Sequence, residues 1–539
     1  MKLALALSIL CASPLTAAQQ FDVVVYGGTA SGVATAVSAA REGLKVALLE
    51  PGTHIGGMVS GGLGYTDHGR REVIGGIALE FFFRVGQHYD LPQYGQEIAW
   101  RHEPHVAEQI FREMLKESGV TVLERRRLRE KAGVRKEGSR VVEITMENGA
   151  SFTAAIFSDN SYEGDLMAQA GVTYAWGREA GGEYGEALAG VREQTPFHQF
   201  LVDVPARGPD GTLLPEISSE PVSPAGAADR KVQAYNFRAC FSHDRANQAP
   251  FPKPAGYDPG RYALLARLLQ TRMEKEGRIP ELRSVIALGR LPNNKADVNN
   301  QGAFSTDYLG GSWGYPEGSH AEKLEIWKAH KDYQSGFFYF LANDPQVPEP
   351  LRNEMNQWGL CKDEFTAEEH WPFQLYVRES RRMVGEYVVV QKDLQTELTK
   401  PDPIGMGSYN SDSHNVQRIV DAAGFARNEG DMQVAVKLYQ IPYRVMLPKR
   451  VQVTNLLVPV AFSASHVAYS SLRMEPQYMI IGQAAGVAAW MAIRSGKAVQ
   501  DIDTAALTGK LEGLGAIMEY VPSTQSRALQ VVRKSVPVR

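Results

Sequence analysis

From Tyr26 the chain reads Gly27-Gly28-Thr29-Ala30-Ser31-Gly32, and this stretch carries the most explicit chemistry in the sequence. Glycines at a tight turn let backbone N–H groups approach a pyrophosphate that a side chain would hold off. Glu50, about 20 residues on, stands where an acid accepts hydrogen bonds from a ribose hydroxyl. Thr29 replaces the middle glycine of GxGxxG; Gly28 supplies the lost freedom, and the Thr29 hydroxyl is an expected extra donor. Elsewhere Asp412 and His414 are two residues apart in NSDSHN, which suggests an acid fixing an imidazole tautomer. His102-Glu103-Pro104-His105 resembles a metal pair, but Pro104 marks a helix start and no further ligands are expected to cluster with it. No metal site is expected there. Cys240 and Cys361 are too far apart for a CxxC pair; one disulfide and two buried thiols both remain open, and neither has an assigned function.

The elements that must position the Gly turn follow from the pattern around it. Phe21 to Tyr26 is a β-branched run suited to a buried parallel strand, and Val33 to Arg41 is a small-residue helix that Gly43 ends. Val46 to Leu49 is a second strand, closed by Glu50. The next segment, PGTHIGGMVSGGLGYTDHG, is too rich in glycine for a regular element and suits chain laid against a flat, extended ligand. Phe152 to Asn160 and Asn455 to Val460 read as further strands, and Met479 to Ile493 as a helix of small residues around Gly482 and Gly486. The fold class expected is α/β: a Rossmann-like nucleotide-binding domain split between 19–174 and 445–539, with an inserted α+β cap at 175–444. That middle segment has no second nucleotide fingerprint, which argues against a pyridine-nucleotide disulfide reductase.

The chain has 539 residues, with 57 Lys plus Arg against 61 Asp plus Glu. This near-neutral balance gives no electrostatic argument for nucleic acid or an anionic membrane. The first residues, MKLALALSILCASPLTAAQQ, have the layout of a secretory signal peptide over 1–18, with an apolar run too short to span a bilayer. A secreted or periplasmic protein is expected, without a membrane span.

YGGTASG (26–32), LLEPGTHIGGMVSGGLGYTD (48–67), DNSYEGDLMAQAGV (159–172), QLYVRESRRMVGEY (374–387) and SASHVAYSSLRMEPQYMIIGQAAG (463–486) together resemble the bacterial FAD-dependent oxidoreductases labelled "xanthan lyase-like", of the glutathione-reductase-like flavin fold. The resemblance runs along nearly the whole chain and implies FAD as cofactor. It implies that Gly27, Gly28, Thr29, Ala30, Ser31 and Gly32 hold the pyrophosphate and Glu50 the ribose. Gly56, Gly57 and Met58, then Ser60, Gly61 and Gly62, would follow the ribityl chain and flavin. Asp159 would lie near the pyrophosphate; the family usually has Ala-Thr where this chain has Asn160-Ser161. The turn Met474 to Tyr478 would aim N–H groups at the flavin C2 carbonyl, with Gly482 letting the helix behind it pack closely.

The same resemblance places the catalytic candidates at the flavin face: His466 as base, Arg473 and Arg378 orienting the substrate, and His414 as a second base. His54 lies near where some flavoproteins attach FAD covalently, but the register is off. Trp313, Trp327, Trp358 and Trp371 with nearby Tyr and Phe are a stacking surface for a sugar or the core of the cap. The expected activity is hydride transfer between flavin N5 and a small organic substrate, a sugar derivative among the candidates, with an electron acceptor of unassigned identity. The alternatives are a non-redox polysaccharide lyase and a non-catalytic protein on a flavin scaffold.

Overall fold

Strand β1 (Gln19–Tyr26) is buried from Val23 onward because both of its edges are paired. The structure is a computed structural model that describes residues 18–192 and 195–536; the signal-peptide reading falls almost wholly outside the described residues. On one side β1 pairs in parallel with β2 (Val46–Leu49), which pairs in parallel with β3 (Thr121–Leu123). On its other side it pairs in parallel with β6 (Ser151–Asp159), bringing Tyr26 opposite Asp159. Beyond β6 lie the antiparallel β5 (Arg140–Thr145) and β4 (Val134–Glu137). Leu456–Leu457 pairs in parallel with the C-terminal half of β6, so the end of the chain returns to the sheet its start began. The strand expected over Asn455–Val460 stops at Leu457 because the Val458 N–H turns away to the Met446 carbonyl.

Helix α1 (Ala30–Arg41) makes the crossover between β1 and β2, beginning three residues earlier than the apolar pattern suggested. Its small residues are explained by what lies on it. The helix Glu475–Ser495 crosses α1 so closely that a Cβ at Gly482 would sit 2.5 Å from the Ser31 carbonyl oxygen. A Cβ at Gly486 would meet the Thr35 carbonyl oxygen at the same distance. Backbone contact of this kind needs glycine, whose missing side chain is also the weakness of the site.

The middle of the chain forms an antiparallel five-stranded sheet in the order Ile286–Leu291, Lys295–Asn300, Cys240–Ser242, Gly359–Cys361, Gln248–Ala249. Cys240 and Cys361 are free, buried thiols on neighbouring strands of this sheet. Over it runs the helix His320–Asn343, started by a capping box between Ser319 and Glu322. Trp371 is buried against Phe237 and Phe338, and the Trp313 indole donates to the Val416 carbonyl. Both therefore serve the interior of this region. No helix among the described residues is long and apolar enough to cross a membrane.

Candidate functional site

The first of two adjoining sites is a cleft of about 320 Å³ at the C-terminal ends of β1, β2 and β6, the edge where open α/β sheets bind ligands. Gly27 turns the chain out of β1 with φ +99°, and a Cβ there would sit 2.7 Å from the Ser161 nitrogen. Gly32 is still tighter: its Cβ would fall 1.9 Å from the Gly27 carbonyl oxygen. Thr29 caps α1, accepting from the Gly32 N–H. Its hydroxyl hydrogen goes to the Asn160 carbonyl at 2.8 Å. The expected free donor is thus already committed, a correction to the sequence reading: Thr29 ties β1 to β6.

Glu50 accepts from the Gly28 N–H at 2.8 Å on one oxygen and from the Gly52 N–H at 2.6 Å on the other. Burial pushes its carboxyl up to about 7, against those two bonds. Each carboxylate oxygen keeps accepting capacity toward the cleft it lines. Arg127 lines the cleft too, although Arg125-Arg126-Arg127 reads in sequence as a solvated edge. The Arg125 and Arg126 N–H groups bond the Gly52 and Glu50 carbonyls, and this folds the run inward.

Gly56 and Gly57 both have positive φ, and the Met58 N–H donates to the Tyr162 hydroxyl at 2.9 Å. Ser60 donates to the Ile55 carbonyl, closing the loop, and Gly61 leaves room for Gln374. Gly62, at φ +121°, lies against the Arg238 carbonyl. Asp159 accepts from the Ser161 N–H, the Ser161 hydroxyl and the Met167 N–H, so its oxygens brace the turn after β6. Ser31 and Gly482 face each other within the helix crossing, and Ala30 is fully buried at the start of α1.

Tyr162 connects the cleft to the helix Glu475–Ser495 by donating to Glu475 Oε1 at 2.7 Å. At the start of that helix Glu475 Oε2 and both amide atoms of Gln477 are buried without a hydrogen-bond partner. Buried polar atoms usually have a partner, whether protein, water or a bound ligand, so a cluster of unpartnered ones beside the cleft marks a place where a ligand's polar groups would be satisfied. Burial also pushes the Glu475 carboxyl up to about 8. The Gly turn, the acid at Glu50 and these orphaned groups at a positive helix end fit an extended dinucleotide carrying a flat, hydrogen-bonding ring.

The second site is built from side chains. His466 opens the helix His466–Leu472, and its Nδ1 lies 2.8 Å from Glu379. Burial alone would raise the Glu379 carboxyl, but His466 and Arg382 beside it hold it down at about 2. Arg382 pairs with both Glu379 and Glu179, and Glu179 accepts the His466 backbone N–H at 2.9 Å. His466 Nε2 has no hydrogen-bond partner among the described residues. His414 makes a parallel arrangement, but its Nδ1 pairs with Asp307 at 2.6 Å and not with Asp412. Asp412 accepts from the Tyr409 hydroxyl instead. This corrects the expectation from NSDSHN: closeness along the chain does not pair the two groups, and Asp307, a neighbour only in the fold, supplies the acid. Burial and then Arg378 lower the His414 pKa, keeping it neutral beside an ionised Asp307. Gln233 joins the two dyads, donating to Glu379 at 3.0 Å and accepting the His414 N–H at 3.0 Å.

Arg378 and Arg473 lie on either side of this cluster around Tyr376, with guanidinium carbons 4.6 and 5.9 Å from the ring centre. The structure thus brings together His414, Arg378 and, from the two ends of one short helix, His466 and Arg473. His54 stacks on Phe373 and pairs with Glu108 and Glu368, at the cleft. Glu103 and His105 gather with Glu364 closely enough to ligate an ion, so a third ligand does cluster there, contrary to the sequence reading. The Lys295 ammonium already holds the cation position, 2.6 Å from Glu103 and 2.8 Å from Glu364. Tyr162, Glu379, Asp307 and Tyr376 were missed as site residues, although Tyr162, Tyr376 and Glu379 lie within motifs quoted above.

A model of the family described as "FAD dependent oxidoreductase" matches residues 22–511. No curated protein matches the sequence significantly. Among solved structures, THI4 of Thermovibrio ammonificans aligns at 19% identity over 30% of this chain and 66% of its own, with a TM-score of 0.22. The amino acid oxidase NikD of nikkomycin biosynthesis aligns at 15% identity over 30% and 56%, with a TM-score of 0.22. A flavin monooxygenase from Stenotrophomonas maltophilia aligns at 16% identity over 26% and 38%, with a TM-score of 0.19. In each case the alignment spans less than two thirds of the other protein.

Proposed function

From the fact that the chain belongs to the FAD dependent oxidoreductase family, we propose that it transfers a hydride between a small organic substrate and flavin N5, with His466 as the base. When bound, FAD supplies a two-electron acceptor whose reactive edge the protein must align with the substrate. Gly27, Gly28 and Gly32 let the backbone close on the pyrophosphate, and Glu50 takes the ribose hydroxyls. Glu475 and Gln477 present hydrogen-bonding groups where the flavin ring would lie. As a hydride leaves substrate carbon, the hydroxyl or amine on that carbon must release a proton. His466 Nε2 is the atom placed to take it.

The observation that carries this reading is the Glu379–His466 pair. The carboxylate bonded to Nδ1 fixes that nitrogen as donor and orients the ring, so that Nε2, without a protein partner among the described residues, is the nitrogen left for the substrate. Glu379 is a positioning residue; Arg382 and Gln233 in turn hold it. The polysaccharide-lyase alternative loses its ground with family membership. A sugar substrate gains little from the aromatic residues, since Trp371 is core and Trp327 lines the nucleotide cleft. Export by the N-terminal leader remains part of the proposal, testable by fractionating the expressing cells.

The test is anaerobic mixing of the holoprotein with a panel of alcohols, amines and hydroxy acids while flavin absorbance is followed. Bleaching by one of them that slows on His466→Ala, with FAD retained, supports the assignment. Bleaching at an undiminished rate in that variant removes His466 as base.

A further inference from the structure

Six arginines among the described residues are 3% exposed or less: Arg178, Arg238, Arg378, Arg382, Arg418 and Arg473. Four of them are satisfied at Nε. Arg178 and Arg238 donate Nε to Asp229 and Asp297, Arg382 to the Ala464 carbonyl, and Arg418 to Asn428. Arg418 shows that this chain can bury a guanidinium on neutral acceptors alone, its other nitrogens meeting the Glu216 and Ala303 carbonyls. Arg378 and Arg473 differ: each leaves a buried Nε–H with no partner. Leaving a charged donor unpaired in the interior costs more than an ordinary lost hydrogen bond.

The two exceptions share one place. Both flank Tyr376, and Arg473 donates Nη1 to its hydroxyl at 3.2 Å. Arg473 has no carboxylate within ion-pair distance among the described residues; its Nη2 meets only the Asp412 backbone carbonyl at 2.7 Å. Asp67 and Asp412 are the nearby acids; their charges act on Arg473 from a distance, but both bond Tyr409 and neither side chain bonds the Arg473 guanidinium. Arg378 does have a carboxylate, Asp307, but that group is also bound to His414. Arg473 is the last residue before the turn into the helix Glu475–Ser495, so these donors adjoin the ring-binding end of the cleft.

We infer that Arg378 and Arg473 form an anchor at Tyr376 for a carboxylate on the substrate, so that the enzyme acts on small organic acids. This rests on the hydride-transfer reading and deepens it: the arginines hold the acid while His466 or His414 faces the carbon to be oxidised. A carboxylate accepts from planar guanidinium groups through charge-assisted hydrogen bonds, which are stronger than those of a neutral hydroxyl.

Calorimetric titration of the holoprotein tests binding apart from turnover. Lactate, alanine, glucuronate, benzoate and inorganic phosphate are compared with the neutral ligands benzamide and glucose. The expected result is that at least one carboxylate saturates the protein and that benzoate binds at least tenfold more tightly than benzamide. Arg473→Gln should weaken carboxylate binding tenfold or more with FAD still bound, and Arg473→Lys should restore part of it. If Arg473→Gln fails to fold, the benzoate–benzamide ratio in the unaltered protein decides the matter alone. No carboxylate binding at 50-fold excess over about 1 mM, phosphate binding in place of every carboxylate, or an affinity unmoved in a folded Arg473→Gln overturns the anchor. Carboxylate binding that depends on Arg473, with no bleaching by any hydroxy or amino acid, overturns hydride transfer and leaves the anchor standing.

Discussion

The nucleotide cleft and the histidine cluster adjoin, yet they are made from different materials. The cleft is shaped by backbone: the Gly27 to Gly32 turn, the start of α1 and the Gly56-Gly57 bend, with Glu50 fastened by two N–H groups. Its parts come mostly from the first 60 residues and the turn after β6. The histidine cluster is made from side chains that arrive from segments far apart in sequence, near residues 233, 307, 378, 414 and 466. A backbone site depends on there being no room for a Cβ. A side-chain site depends on carboxylates keeping their charge while buried. The two should therefore fail in different ways, one by losing the cofactor and the other by losing chemistry with the cofactor in place.

The largest expected effect is on chemistry. His466→Ala should slow flavin reduction by about 10²- to 10⁴-fold, the usual worth of a positioned general base, while FAD affinity stays within a factor of two or so. Stopped-flow bleaching and FAD titration on the same preparation check both halves. Glu379→Gln should also slow reduction, and should shift its pH profile in a way a merely structural change would not.

Next comes a stability effect away from both sites. Lys295→Ala leaves Glu103 and Glu364 buried without their cation. The expected cost is about 3–5 kcal/mol, read as a lower denaturant midpoint with reduction rate per bound flavin unchanged. Loss of reduction at full stability would instead tie this cluster to the chemistry.

Gly32→Ala should damage the cleft. With a Cβ 1.9 Å from the Gly27 oxygen, overpacking of about 1–3 kcal/mol is expected, together with weakened FAD retention. A yellow, fully stable Gly32→Ala protein would mean that the turn adjusts, and the contrast between the two regions would blur.

The smallest effect is on pH dependence. Glu50 is raised from its ordinary value to about 7 by burial, so below that pH the folded apoprotein holds it protonated. Ribose hydroxyls bond best to the ionised form, and binding should therefore release a proton. FAD affinity should rise as pH increases toward 7 and level off above it, by about tenfold per pH unit at most. Glu50→Gln should flatten that dependence. The same raised value means that Glu50 favours the folded state at low pH and that its contribution fades as pH climbs through 7.

How much could be read in advance follows the same division. The strand–turn–helix–strand order was legible because each step has its own local signal: β-branched residues for β1, glycines for the turn, small residues for α1. The Gly482 and Gly486 pair was visible as a tight-packing helix, although its partner was not. His466 was reachable as a candidate through resemblance, but the acid that holds its ring is 87 residues away. For His414 the nearby Asp412 was a false guide, since Asp307 across the fold holds the ring. Thr29 was read as a free donor because its commitment to Asn160 spans two strands joined only in the folded sheet.

By itself the order of residues determined the cofactor class and the strand order at the entrance, because turns, caps and strand runs depend on neighbours within a few positions. Only the tertiary structure decided which carboxylate serves which histidine, which arginines are satisfied and which are not, and that Lys295 fills the acid cluster at Glu103. Those outcomes depend on distances of about 3 Å between segments far apart in sequence, and no local pattern encodes them.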